Sequence, residues 1–287
     1  MDGGGPHRPF RAVTRTDTPA PRAPSPRPPA GRIEGGIEVE VLVLGPVVVR
    51  GAARPFRRAR TLDLVVYLAM HPGGAGNDAW ATALWPDRVM SAATLHSTSS
   101  AARRSLGRGA TGQDHLPRLR GGLRLGPSVG SDWARLAELA RSTDAERWAT
   151  GLGLVRGRPF DGLGSPDWVI LEGVGAEVED TVVRLALRLA GHRLAAGDGA
   201  GSAWAARRGL LACPFDERLY RALMQAADAE GHPAGVESAM DELLRALGGS
   251  NAARSEPEGL VHAETAELYR TLSRRRRGAA GRPVARR

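Results

Sequence analysis

The sequence predicts a mainly α-helical protein in which a small α+β module precedes an all-α module. Three observations support this fold class. Extended apolar segments around residues 37–50 and 116–125 enclose three helical segments. Farther along the chain, leucine and glycine positions recur at a spacing of 34 residues, and the net charge changes from positive to negative. A chain of 287 residues is long enough for two ordinary domains.

The composition excludes several classes of enzyme. All 40 basic residues are arginine, so a Walker A loop, a pyridoxal-phosphate Schiff base and a kinase-type phosphate clamp, which need a lysine amine, cannot be present. The single cysteine, Cys213, excludes an intramolecular disulfide, a cysteine-based zinc site and a CxxC redox pair. No histidine pair or carboxylate cluster has the spacing of metal ligands. We therefore expect a cytoplasmic protein that is not an enzyme and uses no cofactor or metal.

The two ends of the sequence differ from its centre. Residues 1–36 are rich in Pro, Gly, Ala and Arg, and they predict a disordered tail because almost nothing in them could be buried. Residues 274–287 contain seven arginines and no acidic residue, and they predict a second, basic disordered tail. The first residues lack the apolar core of a signal peptide, and no apolar run reaches the roughly 18 residues of a membrane helix. We expect no membrane contact.

The charge between these tails is unevenly distributed. Residues 37–130, the first module, contain 12 arginines and six acidic residues, which gives a net charge of +6. Residues 131–273, the second module, contain 15 arginines and 22 acidic residues, which gives −7. A basic module beside an acidic one indicates that the basic part meets a polyanion. A coding bias towards arginine and alanine would give a similar composition, so the charge alone leaves nucleic-acid binding open.

The first module begins with strands and an apolar helix. Residues 37–50 alternate and then run apolar, with a break at Gly45-Pro46, and they predict two short strands in a hairpin. The segment TLDLVVYLAMHPGG predicts a helix that is stopped by Pro72 and two glycines.

Two further helices and a hairpin follow. Asn77 or Asp78 can cap a short helix that runs through Leu84, and Ser91 can cap a third helix that reaches Leu106. Apolar residues around Gly121-Gly122 then alternate with a period of two, which predicts a closing hairpin; they are Leu116, Leu119, Leu123 and Leu125. Strands, three helices and a hairpin, in this order, make a winged helix-turn-helix domain.

The first module resembles the response-regulator type of winged-helix DNA-binding domain, and more closely the version found in the actinomycete antibiotic regulatory proteins (SARP family). Five pieces carry the resemblance: VEVLVLGPVVVRG, TLDLVVYLAMHPG, Leu84-Trp85-Pro86, SAATLHSTSSAARRSLG and Gly122-Leu123-Arg124-Leu125. The resemblance implies that residues 37–130 bind double-stranded DNA and that the third helix enters the major groove.

Helical periodicity selects the contact residues on that third helix. With Leu95, Ser99, Ala102 and Leu106 on the core side, the candidate contacts to bases and phosphates are Thr94, Ser97, Ser100, Ala101, Arg104 and Arg108. Three arginines just before the first long helix are candidates for gripping backbone phosphates: Arg57, Arg58 and Arg60. Three arginines on the predicted hairpin are candidates for contacting a neighbouring groove of the DNA: Arg118, Arg120 and Arg124.

This third helix departs from the family pattern. The family has larger apolar residues where Ser99 and Ala102 stand, and a longer polar side chain where Ser97 stands. Looser packing and fewer base contacts are expected from these small residues. An alternative is therefore a protein-interaction scaffold whose winged helix has lost sequence-specific DNA binding.

The second module contains an internal repeat. Five pairs of residues stand 34 apart: Leu185 and Leu219, Leu189 and Leu223, Gly197 and Gly231, Ala206 and Met240, Leu210 and Leu244. This is the tetratricopeptide period, and it predicts helical hairpins over residues 185–212 and 217–247 that turn at the two glycines. We expect earlier helices over 132–141 and 145–156, a long helix that begins near Asp167-Trp168, and a final helix over 263–273.

The second module resembles the bacterial transcriptional activator domain, a tetratricopeptide-like domain that follows the winged helix in the same regulators. The resemblance rests on Asp132-Trp133, Trp148, Gly157-Arg158-Pro159-Phe160, Asp167-Trp168, Pro214-Phe215-Asp216-Glu217-Arg218-Leu219 and TAELYRTL. It implies a transcriptional activator whose repeats make homodimer contacts and contact RNA polymerase or another regulator. A simpler alternative is that the repeats only pack against the winged helix.

Overall fold

The computed structural model describes residues 36–164, 167–248 and 259–280, with the side chains of 276–280 excepted. The predicted tail over 1–36 lies outside these residues apart from Gly36. Residues 281–287 of the second predicted tail also lie outside them.

Short strands are confined to the first part of the described chain, and helices make up most of the rest. The strands are β1 (Val39–Leu42), β2 (Val48–Arg50), β3 (Ala75–Gly76), β4 (Gly122–Leu123) and β5 (Val129–Ser131). The helices of the first module are α1 (Ala59–Met70), α2 (Asn77–Leu84) and α3 (Ala92–Leu106). Those that follow are α4 (Asp132–Ala140), α5 (Ala145–Gly153), α6 (Asp167–Leu171), α7 (Val174–Ala195), α8 (Gly199–Ala212), α9 (Glu217–Ala229), α10 (Pro233–Ala246) and α11 (Ala263–Ala280). A winged helix followed by an all-α part is the fold class that the sequence predicted.

The main sheet has β1 at its centre. β1 pairs antiparallel with β2, as predicted for residues 37–50, and Val41 stands opposite Val49. On its other side β1 pairs parallel with β5, where Val41 stands opposite Ser131. The sequence did not predict β5. All four residues of β1 are buried, because the strand is central in the sheet and helices α1 and α4 pack against it.

The closing hairpin predicted around Gly121-Gly122 is wrong. β4 pairs antiparallel with β3, the segment between α1 and α2, and places Leu123 opposite Ala75. This pairing favours glycine, because a Cβ on Gly122 would lie 2.6 Å from the carbonyl oxygen of Ala75. Of the leucines predicted to alternate, Leu116 is fully buried and Leu119 is 46% exposed.

Two helix starts test the capping predictions. Ser91 caps α3 as predicted, because its hydroxyl accepts a hydrogen bond of 3.2 Å from the backbone N–H of Thr94. The predicted cap of α2 is wrong, since the cap position belongs to Gly76 and Asn77 is already helical. The Asn77 side-chain oxygen instead accepts a hydrogen bond of 3.2 Å from the indole N–H of Trp80.

The predicted helical hairpins are present as α7–α8 and α9–α10. Gly197 and Gly231 follow the first helix of each pair with φ of +76° and +66°, a region that glycine enters without steric cost. The residue after each glycine donates its N–H to the carbonyl five residues earlier, at 2.9 and 2.8 Å. The repeated positions that pack in the core are Leu185, Leu189, Ala206, Leu219, Leu223, Met240 and Leu244.

Three helix boundaries differ from the predictions. The helix expected over 145–156 ends at Gly153. The long helix expected from residue 167 is divided into α6 and α7 by Gly173, whose φ is +71°. The final helix, α11, extends to Ala280 rather than ending at Ser273, and so it includes Arg274–Arg277.

The two modules are joined by main-chain and side-chain hydrogen bonds. The N–H of Phe160 donates to the carbonyl of Val43 at 2.9 Å, and the N–H of Arg156 donates to that of Leu44 at 2.6 Å. The buried carboxylate of Asp132 accepts from the N–H groups of Val43 and Leu44 at 2.7 and 3.1 Å. Buried apolar side chains of both modules form one continuous cluster, which runs from Val39 to Leu272 in sequence.

Candidate nucleic-acid interface

Helix α3 packs against α1 through a face that is shifted from the predicted one. Ala102 and Leu106 are buried, as predicted, and Leu95 is half-buried against the core. Ser99 is only half-buried, and its hydroxyl donates to the carbonyl of His96 at 3.1 Å. The residues buried in its place are Thr98 and Ser105.

The predicted contact residues of α3 differ in exposure. Ser97 and Arg104 are exposed, and Ser100 and Ala101 are partly exposed. Thr94 is partly buried, and its hydroxyl is 3.0 Å from that of Ser91 within the cap. Ser97, Ser100, Ala101 and Arg104 thus form an open face, whereas Thr94 is engaged at the helix start.

A basic cleft lies between this face and the start of α1. It has a volume of about 510 Å³, and its lining includes Arg54, Arg57, Arg58 and Arg104. Arg57 and Arg58 are exposed, as the phosphate-contact prediction requires. Arg58 is also the cap residue of α1 and makes no side-chain cap hydrogen bond. Four guanidinium groups beside the positive end of a helix dipole suit a phosphate oxygen.

A second basic cleft adjoins the first and shares Arg54 and Arg104 with it. This cleft has a volume of about 460 Å³, and its lining also includes Arg103, Arg108 and Arg118. Its one acidic lining residue is Asp114, whose pKa is lowered by the hydrogen bond that Arg108 donates to it at 2.8 Å.

Arg103 is held differently from its neighbour Arg104. Its Nε donates a hydrogen bond of 2.8 Å to the carbonyl of Leu116, on the segment that leads to β4. Burial lowers the pKa of Arg103, and the charge of Arg118 lowers it further. Arg103 therefore fixes the segment after α3 against the helix.

Three predicted arginines line neither cleft. Arg60 pairs with Asp63 at 3.5 Å, and its guanidinium lies 5.8 Å from the centre of the Trp85 ring. Arg120 and Arg124 are exposed on either side of β4. The structure thus brings together Arg57, Arg58, Arg104, Arg108 and Arg118 of the predicted set, and it adds Arg54 and Arg103. The sequence could have indicated both added residues. Arg54 belongs to the cluster of arginines before α1, and Arg103 is adjacent to the predicted Arg104.

One solved structure similar to this chain is Mycobacterium tuberculosis EmbR in complex with a low-affinity phosphopeptide. The match has a TM-score of 0.56 at 21% sequence identity, and it covers 83% of this chain and 65% of the EmbR chain. The likeness shows the fold. This chain therefore spans about two thirds of the length of that structure. No protein-family model and no curated protein matches the sequence.

The part of the chain that the structure describes offers neither a membrane-spanning helix nor a metal-binding cluster. No helix among them is both long and apolar enough to cross a membrane. Within the same ranges, no group of three or more His, Cys, Asp or Glu residues could hold a metal ion.

Proposed function

We propose that this protein is a DNA-binding transcriptional regulator, an activator of the type found in the actinomycete antibiotic regulatory proteins, and not an enzyme. In this proposal residues 37–130 bind double-stranded DNA, and residues 131–273 contact a second copy, RNA polymerase or another regulator in the cytoplasm. The observation that carries the proposal is the pair of arginine-lined clefts beside the open face of α3.

In this proposal some residues position the protein on the DNA, and others read the base sequence. Arg54, Arg57 and Arg58, with the start of α1, would hold backbone phosphates and set the register of the protein on the duplex. Ser97 and Arg104 would then face base edges in the major groove. Arg118, Arg120 and Arg124 would contact a neighbouring groove of the DNA.

Fluorescence anisotropy tests this function directly. We expect the chain to bind the DNA upstream of its own gene more tightly than random DNA of equal length across a salt series. Arg104→Gln is expected to weaken binding to the upstream DNA, whereas Arg207→Gln on α8 serves as a control outside the clefts. Equal affinity for both DNAs at every salt concentration would contradict specific regulation.

The alternative is an interaction scaffold without sequence-specific DNA binding. The observation that favours it is the set of small residues on α3, since Ser97 and Ser100 reach less far than long side chains. In a scaffold, Arg104→Ala combined with Arg118→Ala would leave the function in the cell intact. Loss of that function would reject the scaffold, and distinct peaks in chromatin immunoprecipitation would support the regulator.

A further inference from the structure

A separate cleft lies between α4 and α7, in the second module. Its volume is about 420 Å³. Small and aliphatic side chains contribute to its lining, namely Ala137 and Ala140 from α4 and Leu185 from α7. Trp133 adds an aromatic side chain that is only partly buried. The cleft therefore offers an apolar surface that can accept an aliphatic side chain.

Three arginines also line this cleft: Arg141, Arg184 and Arg188. The guanidinium carbon of Arg188 lies 3.9 Å from the centre of the Trp148 ring. Stacking on an aromatic face restrains the guanidinium plane and leaves its N–H groups free at the edge, so Arg188 is already oriented for an anionic partner.

Two of these arginines have no acidic partner among the residues that the structure describes. Arg184 is paired with Asp180. In the ranges that the structure describes, neither Arg141 nor Arg188 forms an ion pair, and both are exposed. This is a positive site in a module whose net charge is −7.

We infer that the cleft between α4 and α7 binds an acidic peptide segment of a partner protein. An aliphatic side chain of the peptide would lie against Trp133, Ala137 and Ala140, above the buried Leu185, and its carboxylates would accept hydrogen bonds from Arg141 and Arg188. The inference deepens the partner-binding half of the proposed function by giving the partner's chemistry.

Charge complementarity favours a peptide over DNA as the occupant. Glu177 lines the cleft, and Asp180 stands one turn away on the same helix. The charge of Asp180 is compensated by Arg184, but the carboxylate of Glu177 would repel a continuous line of phosphates, whereas a short peptide can place its few carboxylates on Arg141 and Arg188 alone.

Selection from a displayed library of short random peptides tests the inference. We expect the chain to enrich peptides rich in Asp and Glu that also carry aliphatic residues. The best of them, made synthetically with a fluorescent label, is expected to bind the Arg141→Gln, Arg188→Gln double variant at least about tenfold more weakly than the unchanged chain. Arg207→Gln, a change of the same kind on α8, should bind the peptide like the unchanged chain.

Several results would overturn the inference. The first is enrichment of peptides without acidic residues. The second is binding of the selected peptide by the double variant as tightly as by the unchanged chain. The third is a double variant that keeps its affinity for the peptide but loses affinity for duplex DNA or loses self-association. Arg141→Gln alone provides a second variant, because Arg141 ends α4 and forms no ion pair with the described residues. Since the inference predicts unchanged DNA binding by the double variant, its failure is distinguishable from failure of the DNA-binding proposal.

Discussion

The carboxylate of Asp132 accepts a hydrogen bond of 2.7 Å from the backbone N–H of Val43, which lies 89 residues earlier in the chain. The second oxygen of this carboxylate accepts from the N–H of Leu44 at 3.1 Å and lies 3.5 Å from a nitrogen of the Arg156 guanidinium. Asp132 is 1% exposed, and Val43 and Leu44 are buried as well, so these bonds lie away from bulk water. One side chain thus satisfies the main chain where β1 ends and fixes it to the start of α4.

Asp132→Ala is expected to lower the free energy of unfolding by about 3 kcal/mol, because two buried N–H groups lose their acceptor. Denaturation in urea measures the change. Asp144→Ala is a suitable comparison, because Asp144 caps α5 from an exposed position and its loss should cost about 1 kcal/mol. Equal losses in the two variants would contradict a special role for the buried carboxylate.

Arg57→Gln combined with Arg58→Gln is expected to weaken DNA binding without changing its sequence preference, because both residues face the cleft assigned to phosphates. Each phosphate contact that is lost should reduce the slope of log affinity against log salt by about 1. Anisotropy titrations at several salt concentrations give this slope. An unchanged slope would mean that this cleft does not meet the DNA backbone.

Gly197→Ala and Gly209→Ala are expected to destabilise the first repeat for different reasons. At Gly197 a Cβ would meet nothing within 4 Å. The free energy of unfolding should therefore fall by only about 1 kcal/mol, because alanine is strained at a positive φ. At Gly209 a Cβ would lie 2.8 Å from Cδ1 of Leu219 and 2.9 Å from Cβ of Ala186, and such overpacking costs about 1–3 kcal/mol. Urea unfolding should show a loss of stability for both variants; because alanine is otherwise favoured over glycine inside a helix, a gain for Gly209→Ala would contradict the close packing of α8.

Cys213 is expected to react slowly with iodoacetamide in the folded protein. Burial, together with the carboxylates of Glu179 and Asp216, raises the pKa of the thiol to about 12. At mildly alkaline pH the folded protein therefore holds almost no thiolate, whereas an unfolded chain holds a large fraction. Alkylation followed by mass spectrometry should be at least about a hundredfold slower in the folded state. Similar rates in buffer and in guanidinium chloride would show that the thiol is not protected.

The sequence predicted the features that depend on local chemistry. The cap at Ser91 and the turns at Gly197 and Gly231 follow from what single residues do to the nearby main chain, and the structure contains all three. The pairing of β3 with β4 was not predictable, because strands of two residues are too short to show a period. Nothing near β5 in sequence indicated that it would pair with β1.

The candidate interface was predicted in part for a similar reason. The arginines are conspicuous in the sequence, and five of the predicted ones line the two clefts. The buried face of α3 was misplaced by one residue at Ser99, because serine and threonine differ little in hydropathy. Only the packing against α1 shows that Thr98 is the buried residue.

The hydrogen bonds that join Val43 and Leu44 to Asp132, Arg156 and Phe160 tie the sheet of the first module to the start of α4 and to the segment that follows α5. Neither module can rotate relative to the other without breaking these hydrogen bonds. If two copies associate through their repeats, the distance between their two α3 helices is therefore set by the protein alone. The DNA would have to supply half-sites at one separation, and inserting half a helical turn between them should abolish paired binding rather than weaken it gradually.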